Sequence, residues 1–409
     1  MTNFITEYAD NILIDACGDV PSEEILAQEL SNFPQVPTGL SGIPSHIRLH
    51  QMGVLHDLHV PTREGIRIAT TIDFLIRQSY ALRDPKAPYV WRHLYDQSSS
   101  LNTRPLMGAV FGVSGCGKTK AIERTLSRYK QVFVHENFPG LVGPFSQLLW
   151  LKIDVPGSGK AKDLAEQLML AFDQALRQPY FSSQFQSSSR SGTSMLHAWL
   201  KKAQSQFLGV LVLDEVQNLF KLATAAQRKK HSSLEDRPSL RVVEDSTLRF
   251  ILTLANTSGI AIFIAGSPDG LDAFSTRFST TQRISATGFH LMKPIKSTED
   301  PYYRKFFIPI LHRYQWLDIK LPLDDELLSQ LFHLSAGIPR IISTIWFVAQ
   351  RYALEKRSKT ISIADLNLAM SMYMPQIIPA IEALRSNDPR KLYLYEDIVR
   401  NIRTTDMLF

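Results

Sequence analysis

The sequence predicts an α/β fold, with a parallel sheet covered by helices on both faces and an all-helical segment after it. Three observations carry this. Near-continuous apolar runs of strand length recur along the chain, as strands buried on both faces require. Segments with helical spacing separate those runs, so consecutive strands are joined by crossovers. A glycine-rich loop stands between the first run and its helix, where a phosphate-binding turn belongs.

Taken in order, LMGAVFG (106–112), LLWLKIDV (148–155), GVLVLDE (209–215) and IAIFIAGS (260–267) read as four strands, and HLMKPI (290–295) as a fifth. QVFVHENF (131–138) reads as an extra strand. Helical spacing runs through 118–128, 163–175 and 239–257. The Ser-rich stretch 182–194 and the polar stretch 224–238 read as loops. Beyond Pro294 the pattern is helical, with starts near Asp324, Pro339 and Ser362. Ser362 and Asp365 have the spacing of a capping box. Residues 1–58 carry one clear helical pattern, near 22–32. The expected organisation is an N-terminal arm or adaptor region (1–58), an α/β core (59–297), a helical lid (298–375) and a C-terminal tail (376–409).

The strongest chemical signal is Gly112-Val113-Ser114-Gly115-Cys116-Gly117-Lys118-Thr119, which fits G-x-x-x-x-G-K-[ST]. Glycines let backbone N–H groups wrap a phosphate at the positive end of a helix. Lys118 is expected to reach the β and γ phosphates, and the Thr119 hydroxyl to ligate Mg²⁺. Lys120 completes the nucleotide-binding set. Cys116 is either a redox-sensitive thiol or a small residue at a free position of the motif. The second signal is the apolar strand ending in Asp214-Glu215. Asp214 is placed to help hold Mg²⁺, and Glu215 to orient and deprotonate an attacking water. Together they predict ATP hydrolysis with ATP and Mg²⁺ as cofactors.

Composition narrows the class further. Lys+Arg number 45 against 39 Asp+Glu, a net charge of +6 and only a mild lean towards anionic partners. The two cysteines, Cys17 and Cys116, cannot form a disulfide scaffold or a four-ligand zinc site. The longest apolar runs fall well short of the ~18 residues of a membrane span. The N-terminus carries acids where a secretory signal carries bases. The expected location is therefore cytoplasmic, with no membrane partner.

The order of features resembles that of AAA+ ATPases: both nucleotide motifs, a polar residue after the next strand, arginines, then a helical lid. By that resemblance Ser267 is the residue sensing the γ-phosphate, and Arg340, in Gly337-Ile-Pro-Arg340, is the lid arginine. Arg277 or Arg283 would complete a neighbouring subunit's site in trans. Within that class the chain resembles the TnsC/TniB transposition regulators, including those of CRISPR-associated transposons. The similarity lies in 60–85, 132–168 and DEVQNL (214–219), whose Gln217 is frequent in that group. The resemblance implies an ATP-dependent ring or helical filament on double-stranded DNA. Such an assembly bridges a target-selection protein (TniQ/TnsD-like) to the transposase, and hydrolysis times its disassembly.

Two basic clusters are candidates for sequence-independent phosphate contacts. One is Ser158, Lys160 and Lys162; the other is Arg228, Lys229 and Lys230. The alternative is an AAA+ signalling or chaperone-like ATPase that acts on proteins without DNA. A replication-initiator or clamp-loader-like reading is weakened because no winged-helix pattern follows residue 375.

Overall fold

The computed structural model describes residues 5–95, 106–181, 190–221, 241–243, 245–275, 282, 287–386 and 388–392. It divides into two compact units. The first comprises Met1–Leu26, Glu64–Phe111 and Lys118–Leu291; the second comprises Ala27–Arg63, Gly112–Gly117 and Met292–Phe409.

A five-stranded parallel sheet forms the first unit's framework. Its strands are β1 (Met107–Gly112), β4 (Trp150–Asp154), β5 (Val210–Asp214), β8 (Ala261–Gly266) and β9 (Gly288–Met292), in the order β4-β5-β8-β1-β9, while β6 (Phe220–Lys221) and β7 (Arg241–Val242) pair separately. Parallel pairing sets Asp154 opposite Asp214, Leu213 opposite Ile264 and Val110 opposite Ala265. Every residue of β1, β5 and β8 is buried, which explains why these runs are apolar without alternation. β1, β5 and β8 lie in the middle of this order, so the carboxyl ends of β1 and β5 are adjacent to that of β8, which carries Ser267. Phe111, Phe172, Trp199, Leu211, Ile251 and Ile262 belong to the core that joins sheet and helices.

The run LLWLKIDV proves to be two strands. β3 (Phe145–Leu148) pairs antiparallel with β2 (Val132–His135), while β4 begins at Trp150 and enters the main sheet. Leu149 is the hinge, and its N–H donates to Gln131 O at 2.8 Å. An unbroken apolar run carries no mark of such a transfer, because both pairings bury it. The Ser-rich stretch also ends sooner than its composition suggests. Ser191 caps the helix Gly192–Ser205, accepting from Ser194 N at 3.2 Å.

The helix Arg63–Ala81 holds residues 17–19 through a buried ion pair. Arg77 Nε lies 3.0 Å from Asp73 Oδ2, and its other nitrogens donate to the carbonyls of Gly18 and Asp19. Tyr129 donates its hydroxyl to Asp73 at 2.6 Å, so the buried carboxylate is fully engaged.

The second unit is helical. Asp325–Ser335, Pro339–Glu355 and Ile363–Tyr373 pack on one another, and Ser362 with Asp365 forms the expected capping box. Trp316, Trp346, Ile342 and Leu327 fill its core. The buried Gln350 amide is satisfied by Trp316 N at 2.8 Å and Tyr314 O at 3.1 Å. Residues 27–63 belong to this unit. Arg48 pairs with Asp318 at 2.8 Å and donates to Leu40 O, while Tyr314 and Tyr302 donate to the carbonyls of Pro34 and Val60. These bonds are why the stretch before residue 63 needs little helical pattern of its own. Among the described residues, no single helix is long and apolar enough to cross a membrane.

Candidate functional site

In the first unit, Lys118 and Thr119 open the helix Lys118–Leu126, whose leading N–H groups and dipole favour anions. The Thr119 hydroxyl donates to Asp214 Oδ2 at 2.8 Å. Asp214 ends β5 and is 2% exposed, and its other oxygen accepts from Glu215 N at 2.9 Å. A threonine hydroxyl and a carboxylate are hard oxygen donors, so the pair suits Mg²⁺ shared with a nucleotide's phosphates. The two motifs therefore meet through Thr119, at the start of the helix that follows β1, and Asp214, at the carboxyl end of β5.

Glu215 takes a left-handed backbone conformation, φ 56°, which swings its exposed side chain off the line of the strand. Gln217 donates from Nε2 to the Glu215 carboxylate, and its Oε1 accepts from Ser267 N at 3.2 Å. One amide thus links the base candidate to the end of β8. The Ser267 hydroxyl is buried without a partner among the described residues. A buried hydroxyl left so is unfavourable, and an incoming phosphate oxygen would satisfy it.

Sequence reasoning missed one side chain in this cluster, Lys152 of β4. Its Nζ lies 3.3 Å from Asp154, 3.6 Å from Glu123 and 3.8 Å from Asp214 Oδ2. Burial works against its charge, but the carboxylates of Asp154, Asp214 and Glu123 outweigh it and hold the ammonium above the ordinary lysine range. Nothing in a lone lysine inside LLWLKIDV signals this. Only the β4–β5 register does.

The turn after β4 is built tightly. Ser158 donates its hydroxyl to the Asp163 carboxylate and accepts from Lys160 N at 3.3 Å. That hydroxyl is committed within the turn, whereas Lys160 and Lys162 are exposed. Arg277, Arg283, Arg228, Lys229 and Lys230 lie outside the described residues.

In the second unit, the loop Gly112–Gly117 packs against the start of the helix Pro339–Glu355. Arg340 N donates to Gly115 O at 3.2 Å, and the exposed Arg340 side chain passes Gly115. Gly115 has φ 86°, and a Cβ there would lie 2.8 Å from Ile338 Cγ2. At Gly112 the constraint is backbone proximity: a Cβ would sit 2.1 Å from Met292 O. Gly112→Ala is therefore expected to destabilise the fold by roughly 1–3 kcal/mol through overpacking, read as a lowered denaturant midpoint.

A family model described as an AAA domain matches residues 101–274. Among solved structures, the ORC1 protein of Aeropyrum pernix, in a structure in complex with DNA, is 16% identical with a TM-score of 0.44. That match covers 77% of this chain and 66% of the other. The ORC2 protein of Aeropyrum pernix, from ADPNP–ADP complexes, is 13% identical with a TM-score of 0.39, over 72% of this chain and 66% of the other. The chain thus spans just under two thirds of the length of each. No functionally curated protein matches. The parallel sheet, the paired Thr119 and Asp214, the C-terminal helices and the matched segment together make this an AAA+ P-loop fold.

Proposed function

We propose that the chain is an ATPase that assembles on duplex DNA without reading its sequence and regulates transposition. In this reading it bridges a target-selection protein to the transposase, and ATP hydrolysis times its release. The observation that carries the ATPase part is the 2.8 Å bond between Thr119 and the buried Asp214, which brings the two motifs to one point. Gly112, Val113, Ser114, Gly115, Cys116, Gly117, Lys118, Thr119 and Lys120 cradle the triphosphate. Thr119 and Asp214 hold Mg²⁺, which when bound neutralises phosphate charge. Glu215 accepts the proton of the attacking water, and Ser267 and Arg340 contact the γ-phosphate. Arg277 or Arg283 serves a neighbouring subunit.

The transposition part rests on the sequence resemblance over 60–85, 132–168 and 214–219. Its physical support is the exposed pair Lys160 and Lys162, at the end of a turn and in the first turn of the helix Ala161–Leu176, tied together by the Ser158–Asp163 hydrogen bond. A turn and helix start held together in this way present cations at fixed spacing, and repetition over protomers multiplies a small charge surplus. Arg228, Lys229 and Lys230 are the second candidate cluster.

The decisive experiment is electron microscopy of the protein with random-sequence duplex DNA and a non-hydrolysable ATP analogue. DNA-threaded rings or filaments are expected. Intact ATPase activity without them would overturn the DNA reading in favour of a switch acting on proteins. The double charge reversal Lys160→Glu with Lys162→Glu is expected to weaken DNA binding at least tenfold at unchanged nucleotide affinity, and to lower the salt dependence by about two phosphate contacts. Fluorescence anisotropy at several salt concentrations measures both.

A further inference from the structure

Asp214 has two oxygens, and they are not equivalent. Oδ1 accepts the Glu215 N–H, while Oδ2 accepts the Thr119 hydroxyl and faces Lys152 Nζ at 3.8 Å. A metal ion held with Thr119 must approach Oδ2, the oxygen that the lysine already faces. The position of Lys152 is dictated by the sheet. Lys152 and Asp154 lie two residues apart on β4, hence on one face, and Asp154 stands in register with Asp214. The lysine side chain is 16% exposed, whereas its other two partners, Asp154 and Glu123, are 66% and 50% exposed. The ammonium therefore has one buried partner and two solvent-side partners within reach of a small rotation.

We propose that Lys152 competes with Mg²⁺ for Asp214 and so sets the Mg²⁺ concentration at which the nucleotide site loads. This rests on the nucleotide-binding reading of the same residues. A divalent cation at Oδ2 repels the ammonium, and Asp154 with Glu123 receives it. The carboxylate is thereby never left as an unpaired buried charge, which would be strongly unfavourable. Lys152 is a positioning residue in this scheme, since it acts through Asp214.

The test is a Mg²⁺ titration of fluorescent ATP-analogue binding to the full chain. For Lys152→Met the Mg²⁺ midpoint is expected to fall by about tenfold, ~1.4 kcal/mol in metal affinity, while Lys152→Arg keeps it near the wild-type value. The double variant Asp154→Asn with Glu123→Gln removes the receiving carboxylates from exposed positions, and its midpoint is expected to rise. That second arm decides the matter if Lys152→Met folds poorly. An unchanged midpoint in folded Lys152→Met, or in the double variant, overturns the competition. A wild-type chain that binds no nucleotide at any Mg²⁺ concentration overturns the nucleotide reading, and the competition with it.

Discussion

Lys118→Ala is expected to abolish nucleotide binding and, with it, assembly on DNA. The lysine stands at the first residue of its helix, where, in the proposed reading, the side chain and the leading N–H groups would address the same phosphates. In the proposed reading its ammonium would make charge-assisted bonds to the β and γ phosphates. Loss of two such bonds corresponds to roughly 3–5 kcal/mol, or about a hundredfold to a few thousandfold in affinity. The residue is only partly buried, so the fold should survive. Titration with a fluorescent ATP analogue, alongside thermal unfolding, separates the two effects. Wild-type affinity in this variant would mean that the phosphates bind elsewhere.

Glu215→Gln is expected to do the opposite to assembly. Nucleotide should bind with near wild-type affinity, while turnover falls by about 10²–10⁴, the usual contribution of a positioned general base. The replacement amide offers Gln217 Nε2 an acceptor in the place of the carboxylate oxygen, so the link to Ser267 N is kept. ATP then persists, and DNA-bound assemblies should outlive those of the wild-type chain in a single-turnover and dissociation experiment. Faster dissociation would show that Glu215 holds the assembled state and does not time its end.

The nucleotide motifs were legible because their chemistry restricts residue type locally. A backbone that wraps phosphate needs glycine, and the metal and the water need a hydroxyl and two carboxylates. The strands β1, β5 and β8 were legible for a different reason: strands covered on both faces cannot carry polar side chains, so they read as unbroken apolar runs. The same logic misread LLWLKIDV, where a transfer at Leu149 between two sheets leaves no polar residue to mark it. Residues 27–63 were opaque because side-chain bonds from distant residues hold them, such as Tyr314 to Pro34. Periodicity reports only contacts that repeat along one element.

By itself the sequence determined the class of fold and singled out the glycine-rich loop motif and the Asp214-Glu215 strand end, since each is written in short-range spacing. Three things were decided only in the tertiary structure. They are the register that sets Lys152 beside Asp214, the bridging of Glu215 and Ser267 by Gln217, and the use of the Ser158 hydroxyl within its own turn. Each joins groups from different strands or turns in a geometry that spacing does not encode. Pairing register and backbone dihedral angles, which no residue type reveals alone, determine which polar atoms meet.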